Sequence, residues 1–126
     1  MTHLKVGDKS PDINSLDQNG NPILLKNFKG KKVVLYFYPK DSTPGCTSES
    51  CNLRDNYKAL QDKGFEIIGV SKDSDKSHLK FIEKNDLPFP LIPDTEKKVI
   101  MDFLILLIYH LNYCNLFHYY PHFLNL

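Results

Sequence analysis

The run Val33-Val34-Leu35-Tyr36-Phe37-Tyr38, closed by Pro39, constrains the fold more than any other stretch. It is β-branched and aromatic, too short for a globular helix, and apolar at consecutive positions, which is the pattern of a strand buried on both faces. Both faces must therefore be covered by other elements. FEIIGVSKD, from Phe65, repeats the pattern. Between the two, CTSESCNLRDNYKALQDKG carries Leu53, Tyr57 and Leu60 at helical spacing and closes with Gly64 as a C-cap signal. DSDKSHLKFIEKNDL reads as a helix with Ser74 or Asp75 near its cap and Leu79 and Ile82 facing inward; FPLIPD is a short strand, and TEKKVI opens another helix. Near the start, DINSLDQNGNPILLKNFKG alternates about a Gln18-Asn19-Gly20-Asn21 turn signal, a hairpin. Strands alternating with helices give βαβ units, hence an α/β fold built on a mostly parallel central sheet. Such sheets keep their reactive groups at the carboxyl ends of the strands.

A chain of 126 residues is long enough for one domain with a real core and no disulfide stapling. Sixteen Lys plus Arg against 15 Asp plus Glu leave a net charge of +1, which gives no case for nucleic acid as a partner. The N-terminus MTHLKVGDKSPDI lacks an apolar h-region, and three cysteines do not make a secreted framework. The expectation is a cytoplasmic protein, where a close cysteine pair is more often catalytic or metal-binding than structural.

That pair is Cys46 and Cys51, in DSTPGCTSESC. Pro44 and Gly45 break the chain out of the first central strand and place Cys46 in the first turn of the following helix. There the unpaired N–H groups and the helix dipole favour negative charge, and a thiol is shifted toward thiolate, the nucleophilic form. Thr43 offers a hydroxyl donor to the same sulfur or to a bound substrate oxygen. A small buried cysteine that happens to begin a helix is the bland alternative. Five helical positions separate Cys51 from Cys46, a net rotation of about 140° and a rise of about 7.5 Å, so their Cα atoms lie roughly 8–9 Å apart. A disulfide needs less than about 7 Å. The two cannot bond while the helix is intact; reaction between them requires its first turns to unwind. Only two ligands are in reach and no finger-like spacing accompanies them, so a metal site is disfavoured.

The stretch YFYPKDSTPGCTSESCNLRDNY, Tyr36 to Tyr57, closely resembles the bacterioferritin-comigratory-protein, or peroxiredoxin Q, family of peroxiredoxins. The spacing Pro39-x3-Thr43-x2-Cys46 is similar to that family's active-site signature, and a second cysteine five residues on marks the subfamily. The resemblance runs from VGDKSPDI to about Ile100. It implies a thioredoxin-like sandwich of a central sheet and flanking helices. It also implies a thiol-dependent peroxidase acting on hydrogen peroxide and organic hydroperoxides. In that reading Cys46 is the peroxidatic thiolate, oxidised to a sulfenic acid. Thr43 positions the peroxide, Pro39 shields the sulfur, and Glu49 resembles the carboxylate that orients an active-site arginine. Arg54 matches a second arginine near the site. Cys51 is the resolving thiol, forming an intramolecular disulfide that thioredoxin reduces. The resemblance further implies a monomer with no metal or other cofactor.

After Ile100 the sequence changes character. Residues 101–126, MDFLILLIYHLNYCNLFHYYPHFLNL, are rich in apolar and aromatic residues and contain no Lys or Arg. The run Phe103–Tyr109 is seven residues, against about 18–20 for a bilayer span, so no membrane association is expected. His110, Cys114, His118 and His122 share helical i, i+4 spacing and form a weaker metal-ligand candidate; Cys114 is otherwise given no role. The adopted reading divides the chain into a peroxiredoxin domain at 1–100, incomplete, and a non-family apolar tail at 101–126 of the kind a frameshift produces. The family's following strands and their arginine have no counterpart there. On that ground the alternative function is a relative with little turnover, a stoichiometric scavenger or sensor.

Overall fold

The computed structural model describes residues 10–28 and 30–103. Strands β1 (Asn14–Leu16) and β2 (Pro22–Leu24) form the expected antiparallel hairpin, with Ser15 opposite Ile23. Asp17 shapes its turn by accepting from the backbone N–H groups of Asn19 and Asn21 through one carboxylate oxygen, and Gly20 supplies the positive φ of 80°. A single 3₁₀ turn, Leu25–Phe28, leads to β3 (Lys32–Phe37).

β3 pairs in parallel with β4 (Phe65–Ser71), and β4 with β5 (Leu91–Pro93), giving among the described residues a three-stranded sheet of order β3-β4-β5. Alternation along β3 explains why consecutive apolar residues are needed. Val33, Leu35 and Phe37 point to one face, with Ile68, Val70 and Ile92, under the hairpin and helix α4 (Lys98–Asp102). Tyr36 and Tyr38 point to the other, with Ile67 and Leu91, where Cys46, Leu53, Phe81, Leu87 and Phe89 cover them. Gly69 is required on this second face. A Cβ there would lie 2.5 Å from Leu91 Cδ2 and 2.8 Å from Tyr36 Cε1.

Two sequence expectations need correction. The segment after Pro44 is not one helix but two, α1 (Pro44–Asp55) and α2 (Tyr57–Asp62). The break falls at Asn56, whose side-chain amide donates to the Asn52 carbonyl at 2.8 Å and to the Asn52 side chain at 3.0 Å, a local alternative to helix propagation. Helix α3 (Asp75–Asn85) starts on Ser74, whose hydroxyl accepts from the Ser77 N–H, as expected. Leu79, however, is 42 % exposed; the inward stripe is His78 and Phe81, with Ile82 partly buried beside them. The stripe is rotated by one position because His78 takes the most buried place.

The division expected at residue 100 falls inside α4. Val99, Ile100 and Phe103 all join the core on the hairpin face, and Phe103 packs against Phe37 with ring centroids 5.7 Å apart. The remaining tail features, His110, Cys114, His118 and His122 among them, lie outside the described residues. Among the described residues no helix is long and apolar enough to cross a membrane.

Candidate active site

The site is built where β3 ends. Pro39 is buried directly after the strand, the chain turns through Lys40–Thr43, and α1 begins at Pro44. Thr43 is the N-cap in extended conformation (φ −87°, ψ 151°), and its hydroxyl donates to the Lys40 carbonyl at 3.0 Å, tightening the turn. Proline suits the first helical position because its missing N–H has no intrahelical acceptor to serve. Cys46 follows as the third helical residue, 1 % exposed, between the first turn of α1 and the tyrosine face of the sheet. The expectation that it lies in the first turn of a helix at the carboxyl end of a buried strand is met, although among the described residues that strand, β3, stands at the edge of the sheet rather than in its centre.

Cys51 lies later on the same helix, partly buried, a free thiol 3.7 Å from Asn85 Oδ1 at the end of α3. Cys51 is not bonded to Cys46, and the two lie five positions apart on the intact helix α1. Arg54 is turned toward α3. Its Nη1 donates to the Asn85 carbonyl at 2.7 Å, where it caps the helix end, and Nε and Nη2 both meet the Asp55 carboxylate at 3.0 Å. Glu49 sits between the two cysteines, half-buried on α1.

Sequence reasoning did not find the polar centre beside this site. Asp41 and His78 are both buried, with His78 Nδ1 2.7 Å from Asp41 Oδ2. Tyr38 donates to the other carboxylate oxygen at 2.6 Å and Ser77 to Oδ2 at 2.8 Å. Burial raises the Tyr38 phenol well above its ordinary value, and the neighbouring Tyr36 and Asp41 add to this, so it remains a donor. Asp41, Asp73 and His78 place ligand-type atoms within 4.8 Å of one another. Their oxygens already accept from Tyr38, Ser77, Ser71 and a backbone N–H, which makes the group a closed hydrogen-bond network. The available signal was His78 on the apolar stripe of α3, three residues before Phe81.

A parallel β-α-β core with a buried cysteine opening the helix after its first strand defines a thioredoxin-like protein of the peroxiredoxin type. The sequence matches the AhpC/TSA family over residues 6–112, and the chain belongs to that family. It is 47 % identical to peroxiredoxin Bcp of Bacillus subtilis (strain 168) over 96 residues, which are 76 % of this chain and 61 % of that protein. The bacterioferritin comigratory protein of Xanthomonas campestris, described for its alkyl peroxide reduction activity, superposes with a TM-score of 0.71 at 35 % identity, covering 74 % of this chain and 59 % of that one. Peroxidoxin BcpB of Mycobacterium tuberculosis gives a TM-score of 0.76 at 36 % identity, over 80 % and 66 %. The chain thus spans about three-fifths of the length of the Bacillus relative.

Proposed function

We propose that this chain is a thiol peroxidase in which Cys46 reduces hydrogen peroxide and organic hydroperoxides. The observation that carries the reading is the placement of Cys46, buried in the first turn of α1 at the carboxyl end of β3. Once reduced, its sulfur faces the N–H groups and dipole of a helix start, which favour the thiolate. The thiolate attacks the nearer oxygen of the hydroperoxide. The O–O bond breaks, the hydroxyl oxygen stays on sulfur as a sulfenic acid, and the alkoxide or hydroxide leaves and takes a proton from solvent to become alcohol or water. Thr43 positions the peroxide, Pro39 shields the sulfur, and Glu49 supports the site electrostatically, while Arg54 ties α1 to the end of α3.

Cys51 is the resolving thiol. After α1 unwinds locally, its sulfur attacks the sulfenic sulfur, water leaves, and a Cys46–Cys51 disulfide forms. A dithiol reductant of the thioredoxin class returns both to thiols by exchange. The chain works as a monomer in a reducing, cytoplasmic-type compartment, with residues 1–100 as the functional domain and 101–126 as an appended tail. The alkyl peroxide reduction described for the Xanthomonas relative supports organic hydroperoxides among the substrates.

The test is peroxide consumption by the full chain coupled to thioredoxin, thioredoxin reductase and NADPH. Turnover lost in Cys46→Ser supports the reading. Turnover that survives this change removes Cys46 from the mechanism.

A further inference from the structure

Between the end of β3 and the start of α1 the chain makes one costly turn. Ser42 has φ +61°, a left-handed conformation in a residue that carries a Cβ. Such a residue costs about 1–3 kcal/mol and persists only where its surroundings over-determine it. What over-determines it lies one residue earlier. The Asp41 backbone N–H donates to Asp73 Oδ2 at 2.9 Å, and Asp73 is itself held by the Ser71 hydroxyl at 2.7 Å, at the carboxyl end of β4. The Asp41 side chain accepts from Tyr38, Ser77 and His78. His78 in turn reaches the Ile92 carbonyl on β5 through Nε2 at 3.1 Å.

Asp41, through its carboxylate and its backbone N–H, and His78 therefore tie the ends of the three described strands of the sheet to the N-terminal turn of α3. The His78 ring is held at both nitrogens, by Asp41 Oδ2 on one side and the Ile92 carbonyl on the other. Loss of one partner from a buried hydrogen-bonded pair is strongly felt, because the other polar group is left unsatisfied. Thr43 and the first turn of α1, through Cys46, hang from Ser42, two to five residues beyond the anchored carboxylate.

We propose that His78 is a positioning residue for Cys46. By pairing with Asp41 it locks the Lys40–Thr43 turn, and so fixes the N-cap and the helix start against which the sulfur reacts. The proposal rests on the peroxidatic reading of Cys46 but makes its own prediction. His78 acts through its Nδ1 side, toward Asp41, and not merely by filling the core.

Two substitutions separate these roles. His78→Asn keeps an N–H at the Nδ1 position and gives up the Ile92 contact. His78→Gln keeps a donor toward Ile92 and leaves Asp41 without its partner. The reduced full-length variants are compared at equal folded fraction, judged by circular dichroism, for two rates at Cys46. These are oxidation by hydrogen peroxide and alkylation by iodoacetamide, both followed by peptide mass mapping. The Asn variant retains both rates within about threefold, whereas the Gln variant loses at least about tenfold, the scale on which small misplacements act. Equal rates in the two variants, whether retained or lost, overturn the proposal. A wild-type chain that does not react with peroxide refutes the peroxidase reading alone, since alkylation still reads the positioning. If the Gln variant does not fold, Ser77→Ala removes another donor from the same carboxylate oxygen at a half-exposed position. A loss of at least about tenfold then supports the proposal, and a rate within about threefold of the unsubstituted chain overturns it.

Discussion

The Tyr36 phenol on β3 and the Ser50 hydroxyl on α1 lie 3.0 Å apart, both buried, one helical turn beyond Cys46. This is a direct polar tie between the sheet and the helix that carries both cysteines. Tyr36 is stacked on Tyr38 at 5.3 Å and meets Phe89 edge-on at 5.8 Å, so its hydroxyl is aimed by packing on two sides.

Tyr36→Phe leaves the Ser50 hydroxyl buried without that partner and should cost about 1–3 kcal/mol. Adding Ser50→Ala should recover part of the loss. The check is a double-mutant cycle by urea unfolding. A non-additive coupling is predicted, and strictly additive losses would show that the contact contributes nothing.

Gly69→Ala tests the close packing beneath the same ring. The new methyl would lie 2.5 Å from Leu91 Cδ2 and 2.8 Å from Tyr36 Cε1, closer than a Cβ settles against its neighbours. The expected loss is about 1–3 kcal/mol, seen as a lowered Tm, because the Tyr36 ring must shift with β3.

Alkaline pH should destabilise the chain. Burial pushes the Tyr57 phenol up to about 12, with the Glu66 carboxylate it donates to at 3.0 Å adding to the shift. Burial likewise raises Tyr36 and Tyr38. In each case the folded state holds the proton more tightly than the unfolded chain, whose tyrosines ionise near 10. The stabilisation is fully present below pH 10 and is lost as pH rises toward and through the folded values. Tyrosinate absorbance and circular dichroism, followed together, should show these three tyrosines ionising at higher pH than exposed ones, with unfolding accompanying their ionisation. Complete titration near the ordinary value in a folded chain would contradict this.

Cys51→Ser should separate oxidation from resolution. The reduced variant is predicted to consume about one equivalent of peroxide and to stop with one oxygen added at Cys46, read by intact mass, since the resolving thiol is absent. Sustained turnover with thioredoxin would assign resolution to another group.

Much of this architecture is legible in the sequence because its causes are local. Val33–Tyr38 and Phe65–Ser71 admit only doubly buried strands, and Pro44-Gly45 fixes where α1 starts. The break at Asn56 was not legible, since Asn52 and Asn56 act through side-chain bonds that hydrophobic spacing does not register. Nor was the outward turn of Leu79, because a buried histidine displaced it from the inward stripe. The Asp41–His78 pair spans 37 positions and depends on tertiary assembly, so no local pattern announces it.

The most direct test of the central claim is the rate at which the reduced full-length chain consumes hydrogen peroxide by stopped flow, with Cys46→Ser beside it. The account predicts a reaction at least about a thousandfold faster than free cysteine, absent from the variant, ending in a Cys46–Cys51 disulfide on peptide mapping. A rate no greater than that of free cysteine, or one unchanged by losing Cys46, would contradict it.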